Sequence, residues 1–292
     1  MSQQHYSGFS QKLLRWYHRH KRTLPWRDIN DPYLTWISEV MLQQTTVPTV
    51  IPKFQRWITV FPNVEALANA PLQKVLKEWE GLGYYNRAKN LHRCAQIICL
   101  QYQGQIPSNR DQLLKLPGLG PYTVGAILSI AFQKREPIID ANVRRVAMRI
   151  LALSGKANSS HDPAIYAFLE QVMPVRSIGN FNQALMELGA LTCDQKKPLC
   201  LQCPVQKFCA AFSCGTQQII PERTKKQIKT IDAVIALIER QGKYLIQQRP
   251  STGLLGDLWE FPGGKIEKGE TKLKALRREL HEELGSSLTQ AT

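Results

Sequence analysis

One carboxylate, Glu39, stands inside an apolar segment that runs from Trp36 to Thr45. The spacing of the apolar residues predicts a helix, on which Gln43 lies one turn beyond Glu39 on the same face. Apolar neighbours would raise the pKa of Glu39 and keep a proton available near neutral pH, as a general acid requires. The segment taken alone favours the simpler interpretation of Glu39 as a solvated helix carboxylate.

A second carboxylate, Asp140, begins another helical segment that continues through Asn142 to Arg144. Its simplest role is to cap that helix, and a capping carboxylate can also serve chemistry. Cleavage of a glycosidic bond needs an acid for the leaving group and an anion for the cationic sugar. Glu39 and Asp140 are therefore candidates for those two roles at an N-glycosidic bond.

Four cysteines, Cys193, Cys200, Cys203 and Cys209, follow the spacing C-x6-C-x2-C-x5-C. Four thiolates in one short loop can surround a single metal centre, and either zinc or an iron-sulfur cluster suits these ligands. Unligated thiols are the remaining alternative. The other cysteines, Cys94, Cys99 and Cys214, lie outside the spacing and are expected not to be ligands.

A glycine-rich turn, with Gly118 and Gly120 inside the segment from Leu116 to Ala126, directly precedes a predicted helix. Glycine lets the backbone N–H groups approach an anion at the positive end of that helix, and Pro121 suits its first turn. Such turns are common, so this one alone is weak evidence for phosphate binding.

The charge balance favours a polyanionic partner. The chain has 38 Lys and Arg against 23 Asp and Glu, a formal net charge of +15. This excess promotes binding of nucleic acid through counterion release, although basic surfaces also occur as solvated faces. No apolar run approaches the roughly 18 residues of a membrane span, and the N-terminus lacks a signal-peptide core, so we expect a cytoplasmic protein without a membrane partner.

The chain divides into a helical part and a part of mixed character. Apolar periodicity predicts helices from Ser10 to about Cys214, with stretches near 34–43, 67–79, 87–101, 123–132, 143–152 and 164–172. We expect a mainly α domain over 1–220 with a metal loop at 193–209, a basic linker at 221–230 and an α/β domain over 231–292. In the last domain, strands near 233–238 and 244–246 joined at Gln241-Gly242 precede a helix over 272–284.

Several motifs occur in the order typical of adenine DNA glycosylases, and together they resemble that family of the helix-hairpin-helix, endonuclease III superfamily. They span residues 10 to about 210 and comprise Leu24–Arg27, Ser38–Thr45, Gly81–Tyr85, the glycine hairpin, Asp140–Asn142 and the cysteine loop. The resemblance implies a two-lobed helix-hairpin-helix glycosylase fold. It also implies a [4Fe-4S] cluster on the four cysteines.

By this resemblance the enzyme is a monofunctional monomer that removes adenine opposite 8-oxoguanine or guanine from double-stranded DNA in the bacterial nucleoid. Glu39 would protonate adenine, Asp140 would stabilise the oxocarbenium-like state, and Tyr122 and Asn142 would support them. The implied DNA- and base-binding residues are Trp26 and Arg27 in the base pocket, Gln44 and Tyr84 as duplex wedges, and Gln43, Leu82, Gly118 and Gly120.

Two other functions are compatible with these motifs and remain alternatives. An endonuclease III-like glycosylase and lyase carries a Schiff-base lysine where this chain has Tyr122, and glutamine where it has Glu39, so both positions disfavour it. A DNA-binding protein without catalysis would need the hairpin, the charge and the cysteine loop but neither Glu39 nor Asp140.

The last domain resembles a Nudix box from Gly264 to Gly285, with Ser286 in place of the usual final aliphatic residue. Glu279, Glu282 and Glu283 form an acidic helix face that could hold Mg²⁺, which makes a Nudix pyrophosphatase a further alternative. Residues 231–292 amount to about half of a Nudix domain. We therefore expect a truncated Nudix-like domain with neither independent hydrolysis nor strong 8-oxoguanine discrimination.

Overall fold

The computed structural model describes residues 6–222, 230–250, 256 and 258–285. Most of the predicted linker at 221–230 and Ser286 of the Nudix box lie outside these residues. The chain separates into two compact units, one of Met1–Gly83 with Arg87–Thr224 and one of Tyr84–Asn86 with Lys225–Thr292. No helix among the described residues is long and apolar enough to cross a membrane.

The first unit is mainly helical, as the apolar periodicity predicts. Its α-helices are α1 (Phe9–His20), α2 (Pro32–Leu42), α3 (Val47–Val60), α4 (Val64–Ala68), α5 (Leu72–Glu78), α6 (Asn86–Tyr102), α7 (Arg110–Leu114), α8 (Pro121–Ala126), α9 (Ala141–Ile150), α10 (Asp162–Val172), α11 (Ile178–Leu191) and α12 (Ala210–Ser213). A π-helical turn, Ile127–Ala131, extends α8, and 3₁₀ turns occur at Ser159–His161, Cys200–Gln202 and Gln206–Phe208.

Local sequence signals set most helix starts. Asp31 caps α2, with its Oδ1 accepting from the N–H groups of Tyr33 at 2.7 Å and Leu34 at 3.0 Å, and Pro32 occupies the first turn. The single helix predicted over 67–79 is wrong, because Pro71 separates α4 from α5. Proline has no N–H to donate and fixes its own φ, which disfavours a continuous helix, and Pro71 is instead the N-cap of α5 in an extended conformation.

Helices α1, α9, α10 and α11 enclose an apolar core. Phe9, Leu13 and Tyr17 on one face of α1 pack with α9 side chains such as Val143 and with Phe181 of α11. Three of the clustered cysteines pack against the rim of this core. The core therefore fixes α9, which begins at Asp140, against the cysteine loop.

The second unit contains short antiparallel strand pairs and one helix. Strands β1 (Ala233–Ile235), β2 (Glu239–Arg240), β3 (Lys243–Tyr244), β4 (Gln247–Gln248), β5 (Trp259–Glu260) and β6 (Gly263–Lys265) pair as β1 with β6, β2 with β3 and β4 with β5. The predicted turn at Gln241-Gly242 joins β2 to β3, both of its residues having positive φ. The predicted first strand over 233–238 is shortened to β1, which pairs with β6 rather than across that turn. The predicted helix over 272–284 is confirmed as α13 (Lys272–Leu284).

Candidate active site

A cleft of about 750 Å³ in the first unit collects most of the predicted site residues. This volume lies within the range of about 300–1,000 Å³ usual for sites that enclose small ligands. The predicted residues that line it are Trp26, Arg27, Glu39, Gln43, Gln44, Tyr122, Asp140 and Asn142. They come from the loop before α2, from α2 and the turn after it, from the start of α8 and from the start of α9.

Glu39 lies on the buried face of α2 with 6% of its surface exposed. Burial raises the pKa of this carboxyl to about 7, and the nearby Asp140 adds to the increase, while the hydrogen bond from Tyr122 opposes it. The Tyr122 hydroxyl donates to Glu39 Oε2 at 2.6 Å. Near neutral pH, Glu39 thus exchanges readily between its acid and its carboxylate form.

Tyr122 reaches Glu39 from the first turn of α8, directly after the glycine hairpin. Burial and the neighbouring carboxylates raise the pKa of its phenol well above the usual value. The hydroxyl therefore stays protonated and remains a hydrogen-bond donor to Glu39. The hairpin and the buried carboxylate are in this way connected through one residue.

Asp140 caps α9 and also lines the cleft. Its Oδ1 accepts from the Val143 N–H at 2.6 Å and its Oδ2 accepts from the Asn142 side-chain amide at 2.9 Å. Burial raises the pKa of Asp140, while the hydrogen bonds from Val143 and Asn142 oppose that shift by stabilising the anion. The cap thus holds a carboxylate at the cleft in a fixed orientation.

A third buried carboxylate, Glu187 of α11, lines the same cleft and was missed by the sequence analysis. Its side chain is 1% exposed and accepts hydrogen bonds from the guanidinium groups of Arg22 and Arg27 at 2.6 to 3.0 Å. Burial alone would raise the pKa of Glu187, but these donors hold it at about 2. A lone carboxylate in an apolar helix, the signal that singled out Glu39, also occurs at Glu187.

The turn after α2 carries the two adjacent glutamines. Gln43 ends α2 and its side-chain amide lies 3.3 Å from the Thr123 hydroxyl of α8. Gln44 is exposed at the edge of the cleft and has a positive φ of 57°. Its side chain is therefore presented outward by a backbone conformation that residues with a Cβ seldom adopt.

Four further predicted residues lie away from the cleft lining. Leu82 is buried, with 4% of its surface exposed, and its predicted contact with DNA stays a prediction. Tyr84 is 59% exposed and has a φ of 49°. Gly118 has a φ of 78°, and a Cβ there would come within 2.7 Å of Asn90 Cβ. Gly120 caps α8 and faces open space.

The four clustered cysteines line one small cavity together with Arg149. Arg149 is fully buried, and its Nη1 lies 3.3 Å from Cys193 Sγ and 2.6 Å from the Asp194 carbonyl oxygen. None of the seven cysteines, all of which the structure describes, forms a disulfide. Among the described residues, no group of three or more His, Cys, Asp or Glu side chains is arranged to hold a single metal ion.

Arg145 of α9 connects the cleft to the cysteine loop. Its guanidinium donates to Asn142 Oδ1 at 2.9 Å and to the Cys193 carbonyl at 2.9 Å, and also binds the Gly189 carbonyl at 2.7 Å. Because Asn142 in turn binds Asp140, a continuous chain of hydrogen bonds runs from the carboxylate to the loop. The cysteine loop therefore supports Asp140 through Arg145 and Asn142.

The acidic side chains of the Nudix-like box are partly neutralised by an arginine of the same box. Arg278 pairs with Glu279 at 2.8 Å, with Glu270 at 2.9 Å and with Glu282 at 3.4 Å. Glu283 accepts from the Gly263 N–H at 2.9 Å. The predicted Mg²⁺ on Glu279, Glu282 and Glu283 stays a prediction.

Two family models match the chain. The model for the HhH-GPD superfamily of base excision DNA repair proteins matches residues 37–172, and a NUDIX domain model matches residues 233–292. The adenine DNA glycosylase of Buchnera aphidicola subsp. Baizongia pistaciae is 36% identical over 279 residues, which cover 92% of this chain and 79% of that protein.

Solved structures show the same helical architecture. A thermostable thymine-DNA glycosylase matches with a TM-score of 0.65 and 28% identity, covering 72% of this chain and 98% of its own. A non-covalent endonuclease III–DNA complex matches with a TM-score of 0.62 over 74% of this chain and 99% of its own; at 20% identity it speaks for the fold alone. The predicted helix-hairpin-helix glycosylase fold is thereby confirmed.

Proposed function

Because this chain belongs to the adenine DNA glycosylase family, we propose that the cleft around Glu39 removes adenine from mispaired DNA by hydrolysing its N-glycosidic bond. The observation that carries the proposal is the pairing of Glu39 and Asp140 in one cleft. Burial raises the pKa of Glu39 to about 7 and also raises the pKa of Asp140, whose carboxyl group accepts from the Val143 N–H and the Asn142 amide, two donors that oppose this shift by stabilising the anion.

The two carboxyl groups have different roles in the reaction. Glu39 in its acid form gives its proton to a ring nitrogen of adenine, which then leaves with the electron pair of the glycosidic bond. The sugar develops positive charge, which the Asp140 carboxylate stabilises until a water molecule adds at the anomeric carbon and gives its proton to the Glu39 carboxylate, which regains its acid form. Tyr122 holds the carboxylate form of Glu39 in place through its 2.6 Å hydrogen bond.

Glu187 and Arg27 supply polar groups for recognising the base. Their ion pair is fixed by two hydrogen bonds, and both residues line the cleft. A carboxylate and a guanidinium offer an acceptor beside a donor, which suits the amino group and ring nitrogens of adenine. Trp26 adds an apolar surface in the same cleft.

The rest of the first unit holds the duplex. The hairpin with Gly118 and Gly120 presents backbone N–H groups to phosphates, and the net charge of +15 favours association. An adenine inside a duplex must leave the base stack to reach a buried acid. Gln44, exposed at the edge of the cleft, is suited to fill the vacated space, and Tyr84 is a second candidate for that role.

The cysteine loop suits a [4Fe-4S] cluster. The four cysteines line one cavity, in which each would bind one iron of such a cluster. The cluster would stiffen the loop that Arg145 connects to Asp140.

We further propose that the substrate is adenine opposite 8-oxoguanine or guanine and that the protein acts as a monomer. An enzyme acting on chromosomal DNA would work at the nucleoid. Lyase chemistry lacks a nucleophile in the hairpin, because Tyr122 has no amine. Nudix hydrolysis has little support, because Arg278 already engages Glu279 and Glu282.

The test is alkali-dependent strand cleavage. Purified protein is incubated in excess with duplexes that carry A opposite 8-oxoguanine or A opposite G, and the strands are analysed with and without alkali. We expect cleavage at adenine only after alkali. We expect it to disappear in Glu39→Gln, which cannot donate a carboxyl proton, and to persist in Glu80→Gln, which alters an exposed carboxylate.

Three results would contradict the proposal. Cleavage without alkali, together with borohydride trapping of protein on DNA, would indicate a lyase. Equal cleavage by Glu39→Gln would place the acid elsewhere. Absence of cleavage from folded protein that binds the duplex would leave DNA binding as its function.

A further inference from the structure

Arg87, near the start of α6, binds the end of α2 through one nitrogen of its guanidinium group. Its Nη1 lies 2.7 Å from the Val40 carbonyl oxygen, 3.2 Å from that of Met41 and 2.6 Å from that of Gln43. The last carbonyls of a helix have no partner within the helix and carry its negative dipole end. Arg87 therefore satisfies the end of the helix that carries Glu39.

The other terminal nitrogen of Arg87 binds a different segment, the glycine turn after α5. Its Nη2 lies 2.7 Å from the Leu82 carbonyl oxygen and 3.1 Å from that of Gly83. It also lies 3.3 Å from the Thr45 hydroxyl, which is within 3.3 Å of the Leu82 carbonyl as well. One guanidinium thus joins the turn at 43–45 to the turn at 81–83.

Trp79 fixes the orientation of this guanidinium. Its fully buried ring lies under the guanidinium carbon at 5.0 Å, a cation–π arrangement. Its indole N–H donates to the Gly83 carbonyl at 2.9 Å. The plane of Arg87 and the path of the second turn are therefore set together.

Both turns have backbone conformations that need external support. Gln44 has a φ of 57°, and Gly81 and Gly83 have φ values of 86° and 68°. A residue with a Cβ is disfavoured in this region and stays there only when its surroundings determine the conformation. The carbonyl of Gln43, held by Arg87, belongs to the peptide unit that immediately precedes Gln44.

We propose that Arg87 is a positioning residue that holds Gln44 in the conformation that enters the duplex when adenine leaves the stack. Arg87 binds Gln43 and Thr45 of the cleft lining but does not line the cleft itself and is not bonded to the Glu39 carboxyl group. The inference rests on the proposed function, which assigns Gln44 to the duplex, and goes beyond it by naming the residue that sets the geometry of Gln44. Lysine cannot replace it fully, because an ammonium lacks the planar fork that reaches both turns at once.

A double-mutant cycle with Gln44 tests this inference. Single-turnover rates of adenine excision are measured for the wild type, Gln44→Ala, Arg87→Met and the double variant. We expect each single variant to lose at least about tenfold in rate, since small displacements of positioning groups have effects of this size. If Arg87 acts through Gln44, the double variant is no more than about twofold slower than the slower single variant.

A second readout separates positioning from chemistry. Duplex with 2-aminopurine at the adenine position becomes more fluorescent when that base leaves the stack. We expect this increase with the wild type and with Glu39→Gln, and its loss with Arg87→Met. The pH at which the excision rate declines should stay the same in Arg87→Met, because Glu39 keeps its neighbours.

Controls address folding. Arg135→Met removes another arginine that binds carbonyl groups at a helix end, those of Glu170 and Met173, and should leave the rate and the fluorescence unchanged. If Arg87→Met does not fold, Arg87→Lys takes its place in the cycle, with a smaller loss and the same non-additivity.

The inference is overturned if a folded Arg87 variant excises adenine at the wild-type rate, or if the losses of the two single variants multiply in the double variant. Failure of the proposed function has a different signature, since wild-type protein would then excise nothing. The fluorescence comparison between wild type and Arg87→Met would still decide the role of Arg87.

Discussion

At the residue scale, the surroundings of two buried carboxyl groups in the cleft shift their pKa values in opposite directions. Glu39 has one phenol as its partner, so burial dominates and raises its pKa to about 7. Glu187 has two guanidinium groups, whose hydrogen bonds outweigh burial and hold its pKa at about 2. One group can therefore exchange a proton near neutral pH while the other stays charged, which is the usual way to separate an acid from a fixed anion.

The raised pKa of Glu39 predicts how the excision rate depends on pH. The proton donor is the acid form, so single-turnover excision should decline as pH rises through about 7, by up to tenfold per pH unit. The measurement is the single-turnover rate between pH 5.5 and 9 at saturating protein. A rate that stays constant across this range would show that no group with this pKa gives the proton.

The same shift affects stability with a defined sign. The folded-state pKa of Glu39 lies above its value in an unfolded chain, so the contribution of Glu39 to stability is complete at low pH and is lost as pH rises through about 7. Glu39→Gln should consequently gain stability relative to the wild type at pH 8 and not at pH 4. Thermal melting at the two pH values provides the comparison.

At the scale of elements, the site depends on where helices begin and end. Asp140 lines the cleft as the N-cap of α9, and Tyr122 reaches Glu39 from the first turn of α8 after the hairpin. Gln44 lies in the turn just beyond α2. Substitutions in the turns beside these boundaries should therefore alter function even when Glu39 and Asp140 are unchanged.

The hairpin supplies one such prediction. Gly118→Ala should weaken duplex binding by about tenfold, because the new Cβ would meet Asn90 at 2.7 Å in a backbone region that favours glycine. Fluorescence anisotropy with undamaged duplex measures the loss. Gly8→Ala, also at positive φ but in open space, should leave binding unchanged. Normal binding by Gly118→Ala would mean that this loop does not contact phosphate.

The cysteine loop leads to a second prediction at this scale. Cys203→Ser should remove the iron and the visible absorbance of the purified protein and weaken DNA binding, because the loop loses its cross-link. Cys214→Ser, an exposed cysteine outside the cavity, should retain both. Iron and zinc content per chain are measured for all three proteins. Zinc without iron in the wild type would contradict the cluster.

At the scale of the whole molecule, charge rather than shape determines the strength of association. The net charge of +15 is spread along the chain, whereas the reacting groups are buried in one unit. Charge of this kind governs how tightly and how quickly DNA binds and contributes little to the chemical step.

The charge therefore predicts a split response to salt. Duplex affinity should fall on the order of a thousandfold between 50 and 200 mM salt, the change for about six neutralised phosphates. The single-turnover rate at saturating protein should stay nearly constant over this range. A binding curve insensitive to salt would argue against a phosphate-centred interface.

The local motifs of this protein could be predicted from its sequence, since each depends on residues close together in the chain. The glycine hairpin, the cap at Asp140 and the cysteine spacing are of this kind, and the fold they indicate is confirmed. The single helix predicted over 67–79 is wrong because apolar periodicity continues across Pro71. The proline that separates the two helices is itself a local signal.

Tertiary structure alone decided the partners that set each group's properties. Glu187 meets Arg22 across 165 positions in the chain, and Arg87 meets Val40 across 47, so no local pattern reveals either pair. The sequence determined which side chains could carry out the chemistry, because residue type and local spacing are properties of the sequence itself. Packing of α11 beside α1 and of α6 beside the end of α2 decided which of them meet, and with that the pKa values and turn conformations on which the proposed reaction depends.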